Sequence, residues 1–523
     1  MRPTFLAFQT ASRALAASQV SLDVTGNNIA NANTEGYSRQ RVDISSISST
    51  GYDMKYMVPG AKAGVGVEVT GIRQIRDPFL DLRYRSENAE NGKLSTIISG
   101  LSDLEGIYDE TENPGLQTEL SNFLNQLQEL SKSPTSKDIS QIVRTAAQRL
   151  TQVMNIYSNQ TEQVRSQQIY GLDNIVVNND FNSLVKNIAS LNSQIREDQT
   201  YGETPNELMD RRNLLLDQLS NIANIKVTVK PEKISDDLSI ERMSVDLYDQ
   251  STGTSVGLID NDLYNTLSVD DSKETLGILI NSSFDPHATK DITDHFTSGV
   301  IKGYLDVING KGTYASSPGE NSFRGTLYYK SAMDTFAAKF ANVFNSINST
   351  VDTSVTPSVT TLKPLFQSSG DGTAGITASN IRISNQWLAD SSFITTTKDV
   401  NSSSGGSDNV LKMIQAMGSK NTFNSDPSNP SSTVFEGTYH QYMTGLVGEL
   451  ALDVNLNQNF SDTSSNVLNN LTTARESISG VSMDEEGINL LAYQKSYNAA
   501  ARFLTTLDEA VDTLINKMGI VGR

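Results

Sequence analysis

The chain has 523 residues, a formal net charge of −19 and no cysteine. Its length suggests about three domains, and its acidity excludes binding to nucleic acid or to an anionic membrane, because phosphate recognition needs clustered lysine and arginine. Without thiols it can hold neither a disulfide nor a thiolate metal site.

The first element is a helix. Phe5, Phe8, Ser12, Leu15, Gln19, Leu22, Gly26 and Ile29 alternate spacings of three and four, a heptad seam, and Pro3 stands where a helix start tolerates proline. The apolar run 5–8 is too short for the core of a cleaved signal peptide. Asn27, Asn28, Asn31 and Asn33 then crowd the helix end. Asparagine bonds neighbouring backbone and tolerates left-handed geometry, so these side chains are expected to stop the helix at Ile29 and lock the exit turn. Gly36 supplies a positive φ where the turn needs one, and Tyr37, Arg39 and Arg41 lead into an extended segment.

Helical periodicity returns over 120–130, 139–157, 184–195 and 208–222, which together predict a rod of antiparallel helices. Between 225 and 283 the period changes to two: KVTVK, SVDLYD, LYNTLSVD and LGILI read as strands. A helical segment follows at 333–347. Residues 350–433 are rich in Ser, Thr, Gly, Asn and Asp, which predicts a β-rich or loose insertion on the outside. Helices resume near Tyr439. The last one opens on Ser482-Met483-Asp484-Glu485, an S-x-x-E capping-box pattern with acids in the first turn. Its seam runs through Leu490, Tyr493, Tyr497, Ala500, Leu504, Leu507, Val511, Leu514 and Met518, with Lys517 and Gly519 at the stop.

Chemistry is sparse. His287, His295 and His440 are the only histidines. Asp285, His287, Asp291, Asp294 and His295 cluster without an H-E-x-x-H pattern and read as a surface turn. Residues 370–375 match G-x-G-x-x-G, yet the following ITASNIRIS alternates like a strand where a dinucleotide site requires a helix. No enzyme, cofactor or metal is expected. Glu485 and Glu486 cannot be told apart from ordinary helix-start electrostatics.

LDVTGNNIANANTEGYSRQ at 22–40 resembles the N-terminal signature of the bacterial flagellar axial family of rod, hook and hook-associated proteins. Its GYSRQ ending is similar to the hook-associated members of the hook–filament junction, whereas rod and hook proteins more usually continue with a GF-type sequence. GVGVEVTGIRQIRDPFLDLRYRSENAENG at 64–92, NELMDRRNLLLDQLSNI at 206–222 and SGVSMDEEGINLLAYQKSYNAAARFLTTLDEAVDTLIN at 479–516 are similar to the same family. The resemblance covers about 1–225 and 435–523 and leaves the middle unmatched.

The resemblance implies a structural subunit, exported by the flagellar type III apparatus without a cleaved signal, that forms a ring of its own copies between hook and filament outside the cell. It implies hook protein below, a second hook-associated protein above, and an export chaperone on the C-terminal helix. The expected fold is mainly α with β-rich insertions: 1–60 with 470–523 as an inner-tube coiled coil, 61–224 with 435–469 as a helical rod, 225–300 as an outer β domain, 301–349 as a helical return and 350–434 as an outer insertion. The assembly interface would comprise the seam residues of both terminal helices with Asn27, Asn28, Asn31, Asn33, Gly36 and Tyr37. The alternatives are another axial protein, hook or flagellin-like, and a flagellum-borne enzyme. The long helical region counts against hook, and the enzyme would need a nucleophile or metal motif in 225–435, where none is found.

Overall fold

The computed structural model describes residues 4–47, 64–109, 115–235, 239–249, 252–282, 289–316, 319–352, 359–399, 405–426, 429 and 431–517. It is mainly helical. Helix α1 (Thr4–Ala30) leads into a two-stranded hairpin, β1 (Gln40–Ser46) and β2 (Val67–Gln74), and then into α2 (Pro78–Tyr108). Next come α3 (Leu116–Lys132) and α4 (Lys137–Tyr170), which continues through a π-helical stretch, Gly171–Phe181, into α5 (Asn182–Thr200); α6 (Asn206–Ile222) closes the helical series.

Local signals explain the starts of these helices. Asp77 caps α2 by accepting from the Phe79 N–H at 2.9 Å, with Pro78 in the first turn, where its missing N–H costs nothing. Ser136 does the same for α4 from Ile139. In α3 the buried residues Leu116, Leu120, Phe123, Leu127 and Leu130 keep the helical period. α2 is less legible, because its buried face includes Arg85, Asn88, Gly92 and Gly100. Gly92 is required there: a Cβ would lie 2.4 Å from the Asn221 carbonyl oxygen, so α6 approaches α2 backbone to backbone.

The middle of the chain builds two antiparallel sheets. β3 (Ile225–Lys233), β4 (Ser239–Tyr248), β5 (Ser255–Asp260) and β6 (Leu263–Tyr264) pair in sequence order, and β7 (Thr266–Asp270), β8 (Gly277–Asn281) and β9 (Thr289–Asp291) form the second sheet. β3, β4, β6 with β7, and β8 match the expected strands, whereas β5 and β9 were not expected. Both sheets pack on the π stretch, α5 and α6 through a core containing Phe181, Val185, Leu216, Val245 and Ile278, joined by α7 (Val300–Asn309), which opens the expected helical return.

A larger core lies between α2, α3, α4 and α8 (Thr326–Ile347). Here the described residues of 350–433 are not loose. They form the hairpins β10 (Ser349–Asp352) with β11 (Val359–Leu362) and β12 (Phe366–Ser368) with β13 (Ile381–Ile383), then the short α9 (Asn385–Ala389), α10 (Asp408–Gly418), and β14 (Asn421–Asn424) with β15 (Thr433–Gly437). Phe366, Trp387, Val410, Met413 and Phe423 are fully buried in the same core as Phe336, Phe340 and Phe344 of α8. The rings interlock, with Phe340 and Phe366 centroids 5.2 Å apart and Phe366 edge-on to Trp387 at 5.9 Å. Polar composition hides these anchors because they come singly between turns.

Excising 350–433 is therefore expected to abolish cooperative unfolding. Each buried aromatic or aliphatic side chain contributes about 1.5–3 kcal/mol, so the loss of five is comparable to the whole net stability of a domain, roughly 5–15 kcal/mol. A soluble deletion variant with a sharp calorimetric transition near that of the full chain counts against this packing.

The chain returns through α11 (Tyr439–Ser479), opened by a complete capping box between Thr438 and Gln441, and ends in α12 (Met483–Asp512). α11 runs beside α2, while α12 packs along α1. Asp285, His287, Met518 and Gly519 lie outside the described residues.

Candidate assembly interface

The first helix ends in a network with Asn28 at its centre. Asn28 is 1% exposed, and its side chain uses both ends: Nδ2 donates to the Gln40 carbonyl at 3.0 Å and to Glu486 Oε2 at 3.2 Å, while Oδ1 accepts from the Gln40 N–H and the Tyr37 hydroxyl, both at 2.9 Å. One buried amide thus joins α1, the start of β1 and α12. Asn31 acts more locally, donating to the backbone and side-chain oxygens of Asn27 at 3.1 and 2.7 Å and accepting from Thr34. Asn33 is exposed. Gly36 has φ +79° and stacks its backbone on Leu214 of α6, so both the positive φ and the close approach favour glycine.

Arg39 completes the elbow. Its Nε donates to Glu486 Oε1 at 2.8 Å and its NH1 to Glu485 Oε2 at 2.7 Å. The α12 cap is consequently half a box: Ser482 accepts from the Glu485 N–H, but the Glu485 carboxylate turns to Arg39. Tyr37 sits among burial, Asp210, Glu207 and Glu486, all of which disfavour the phenolate and push its pKa up to about 12, so it serves as a neutral donor.

Below the elbow a balanced charge chain ties it to the rod. Ser38 donates its N–H to Asp210 of α6 at 3.1 Å, and its hydroxyl accepts from Arg76. Arg76 grips Asp81, Arg475 of α11 bridges Asp81 at 3.0 Å and Asp217 at 2.7 Å, and Arg85 meets Asp217 at 2.7 Å. Burial raises the Asp210 pKa despite its bond from Ser38; at Asp81 burial pushes the same way, but Arg76, with Arg475 and Arg85 behind it, outweighs burial and lowers the pKa. α2, α6 and α11 are joined here by partnered charges, the arrangement in which removing one member leaves an uncompensated ion.

The terminal helices meet along an unexpected face. The side chains of α1 that become buried are Ala11, Ala17, Ser18, Ser21, Val24, Thr25 and Asn28. Phe8, Leu15, Leu22 and Ile29 are only half-buried beside that face, and Ser12, Gln19 and Gly26 are exposed. The Phe5 and Leu514 side chains lie outside what the structure describes. On α12 the expected seam fits better: Tyr493, Tyr497, Ala500, Leu504, Leu507 and Val511 are half-buried, whereas Leu490 is 37% exposed. Met483, Ile488, Leu491, Phe503 and Ile515 remain open to solvent.

A family model described as the flagellar hook-associated protein FlgK helical domain matches residues 101–353; those of the flagella basal body rod protein and the flagellar basal body rod FlgEFG protein C-terminal match 8–37 and 475–517. Flagellar hook-associated protein 1 of Bacillus subtilis (strain 168) is 31% identical, with 100% of both chains covered. The chain belongs to the flagellar hook-associated protein 1 family. The family member of Salmonella typhimurium is 24% identical over 96% of this chain and 98% of its own. The flagellar hook junction protein FlgK of Burkholderia pseudomallei shares the fold, with a TM-score of 0.54 at 14% identity over 76% of this chain and 100% of that one.

In this hook-associated chain the rod-protein match ends at residue 37, inside the elbow, and the C-terminal match begins at Arg475 of the charge chain. Reading the sequence picked out Asn28 and Tyr37 but missed Arg39, Asp210, Asp217, Arg475, Glu485 and Glu486 as one system. The available signal was the pairing of Asp and Arg at apolar-period positions of 206–222, which put charge on a face destined for burial.

Proposed function

We propose that this chain is the structural, non-catalytic subunit of the junction between the flagellar hook and filament. Copies form a ring, with hook protein below, a second hook-associated protein above, and an export chaperone holding α12 until secretion without a cleaved signal. Residues 1–60 with 470–523 line the central tube; the rod of 61–224 with 435–469 stands behind them, and 225–300 faces outward.

The observation that carries this reading is the terminal pair. α1 and α12 are positioned by a buried polar elbow, yet α12 leaves Met483, Ile488, Leu491, Phe503 and Ile515 exposed. Such a helix is built for more neighbours than one chain supplies. In a strain lacking the gene, electron microscopy is expected to find complete hooks without filaments and flagellin lost to the medium. Normal filaments on that strain would sink the proposal.

A further inference from the structure

α12 runs antiparallel to α1. Asn28 meets Glu486 near the elbow, and ten residues back along α1 the Ser18 Oγ lies 3.2 Å from the Ser496 Oγ. Along this face α1 offers mostly small side chains: Ala11, Ser18 and Thr25 recur every seven residues, as do Ala14, Ser21 and Asn28. A seam of this kind carries little register information. A shift of seven residues restores nearly the same helical face, so Tyr and Leu side chains of α12 would find another set of small partners.

The elbow end differs. Glu486, 2% exposed, accepts from Arg39 at 2.8 Å and from Asn28 at 3.2 Å. In a slipped register its carboxylate leaves both and keeps only the long 3.5 Å bond from Asn489 of its own helix, so the charge loses the cation that balances it, which is costly. Arg39 is suited to be the fixed point because its backbone belongs to neither helix: its N–H donates to Ser479 O and its carbonyl accepts from the Ile75 N–H, each at 2.8 Å.

We propose that the Arg39, Asn28 and Glu486 cluster sets the register of the terminal helix pair, with Arg39 a positioning residue that acts through Glu486. This rests on the reading that the pair is ordered within assembled flagella. The register is then referenced to the rod at one point instead of being written along the seam.

The absence of native cysteine makes the test direct. Ser18→Cys with Ser496→Cys reports the observed register. Ala11→Cys with Ser496→Cys, and Thr25→Cys with Ser496→Cys, report slips of seven residues, which at ~1.5 Å per residue separate the thiols by about 10 Å along the axis, beyond disulfide reach. Full-length chains are expressed alongside the unaltered chain, so that mixed junctions form, and purified flagella are oxidised with copper phenanthroline.

With Arg39 intact only the first pair should cross-link, within one chain. Arg39→Ala should lower that yield at least about tenfold and raise a slipped pair, while Arg39→Lys, which keeps the charge but cannot span both carboxylates, should give a mixture. Unchanged native cross-linking in both variants overturns the inference. So does loss of all three cross-links in chains still incorporated, since the cluster would then hold the pair together without choosing its register, and so does a covalent dimer. Absence of the unaltered chain from purified flagella counts instead against the functional reading.

Discussion

Cells carrying Asn28→Leu are expected to export the protein and grow no filaments, while Asn31→Ala leaves them motile. Leucine matches asparagine in size but cannot replace the four bonds of the Asn28 side chain. The Tyr37 hydroxyl is half-buried and can find water, and Glu486 keeps Arg39. The Gln40 N–H and carbonyl have no such alternative, because Gln40 is buried. Each orphaned backbone group costs about 1–3 kcal/mol, so the ordered elbow loses roughly 3 kcal/mol, or two orders of magnitude in incorporation.

Asn31 is half-exposed and bonded only to Asn27 and Thr34, so its replacement costs about 0.5–1 kcal/mol. Immunoblots of medium and purified flagella separate export from incorporation. Wild-type swarming by Asn28→Leu cells contradicts the central role of Asn28, and an Asn31→Ala defect of equal size would mean that the asparagines act as one unit.

The difference between these two residues was not legible in the sequence, although the elbow was. A crowd of asparagines before a glycine announces a locked helix exit, because the side-chain chemistry is local. Which asparagine reaches across to β1 and α12 depends on two segments more than four hundred residues apart in the chain. The same limit explains the seam of α1. Hydropathy selects Phe8, Leu15, Leu22 and Ile29, the large residues, whereas the α1 side chains that the fold buries are mostly small: Ala11, Ala17, Ser18, Ser21 and Thr25. The face carrying Ser18 and Asn28, which bond to α12, lies one position round from that stripe.

The role of these charges stayed open in the sequence for a related reason. Acids in a first turn are favoured by any helix dipole, so Glu485 and Glu486 carry no sign of Arg39 until the fold brings it there. By contrast the long helices 120–130 and 139–157 and the strands of 225–283 were legible, since their periodicity and the one-sided burial it produces are properties of single elements. The β hairpins and α10 within 350–433 were too short to carry a period, and their buried anchors had to be found by packing.

In the free subunit, hydrogen exchange is expected to leave residues 4–30 and 483–517 essentially unprotected while α3, α4, α5 and α6 exchange slowly. Among the described side chains of α12, Glu486 alone is buried, and α12 packs principally along α1, which otherwise rests mainly on the narrow β1–β2 hairpin. The rod differs in kind: Leu101, Phe123, Leu150, Phe181 and Leu216 are all 0% exposed within cores fed by many elements. Ordering a residue costs about 1–2 kcal/mol in backbone entropy, while apolar burial returns only about 25 cal/mol per Å². A half-buried two-helix pair cannot meet that cost along its length, and short helices without tertiary support are marginal in water. In the proposed ring, copies packed around Ile488, Leu491 and Phe503 would add burial on the sides that one chain leaves open. Disorder before assembly also keeps an exposed apolar helix from nucleating polymer inside the cell. Strong protection of both terminal segments in a verified monomer would show that the pair is stable alone, and that burial by neighbouring subunits is not what orders it.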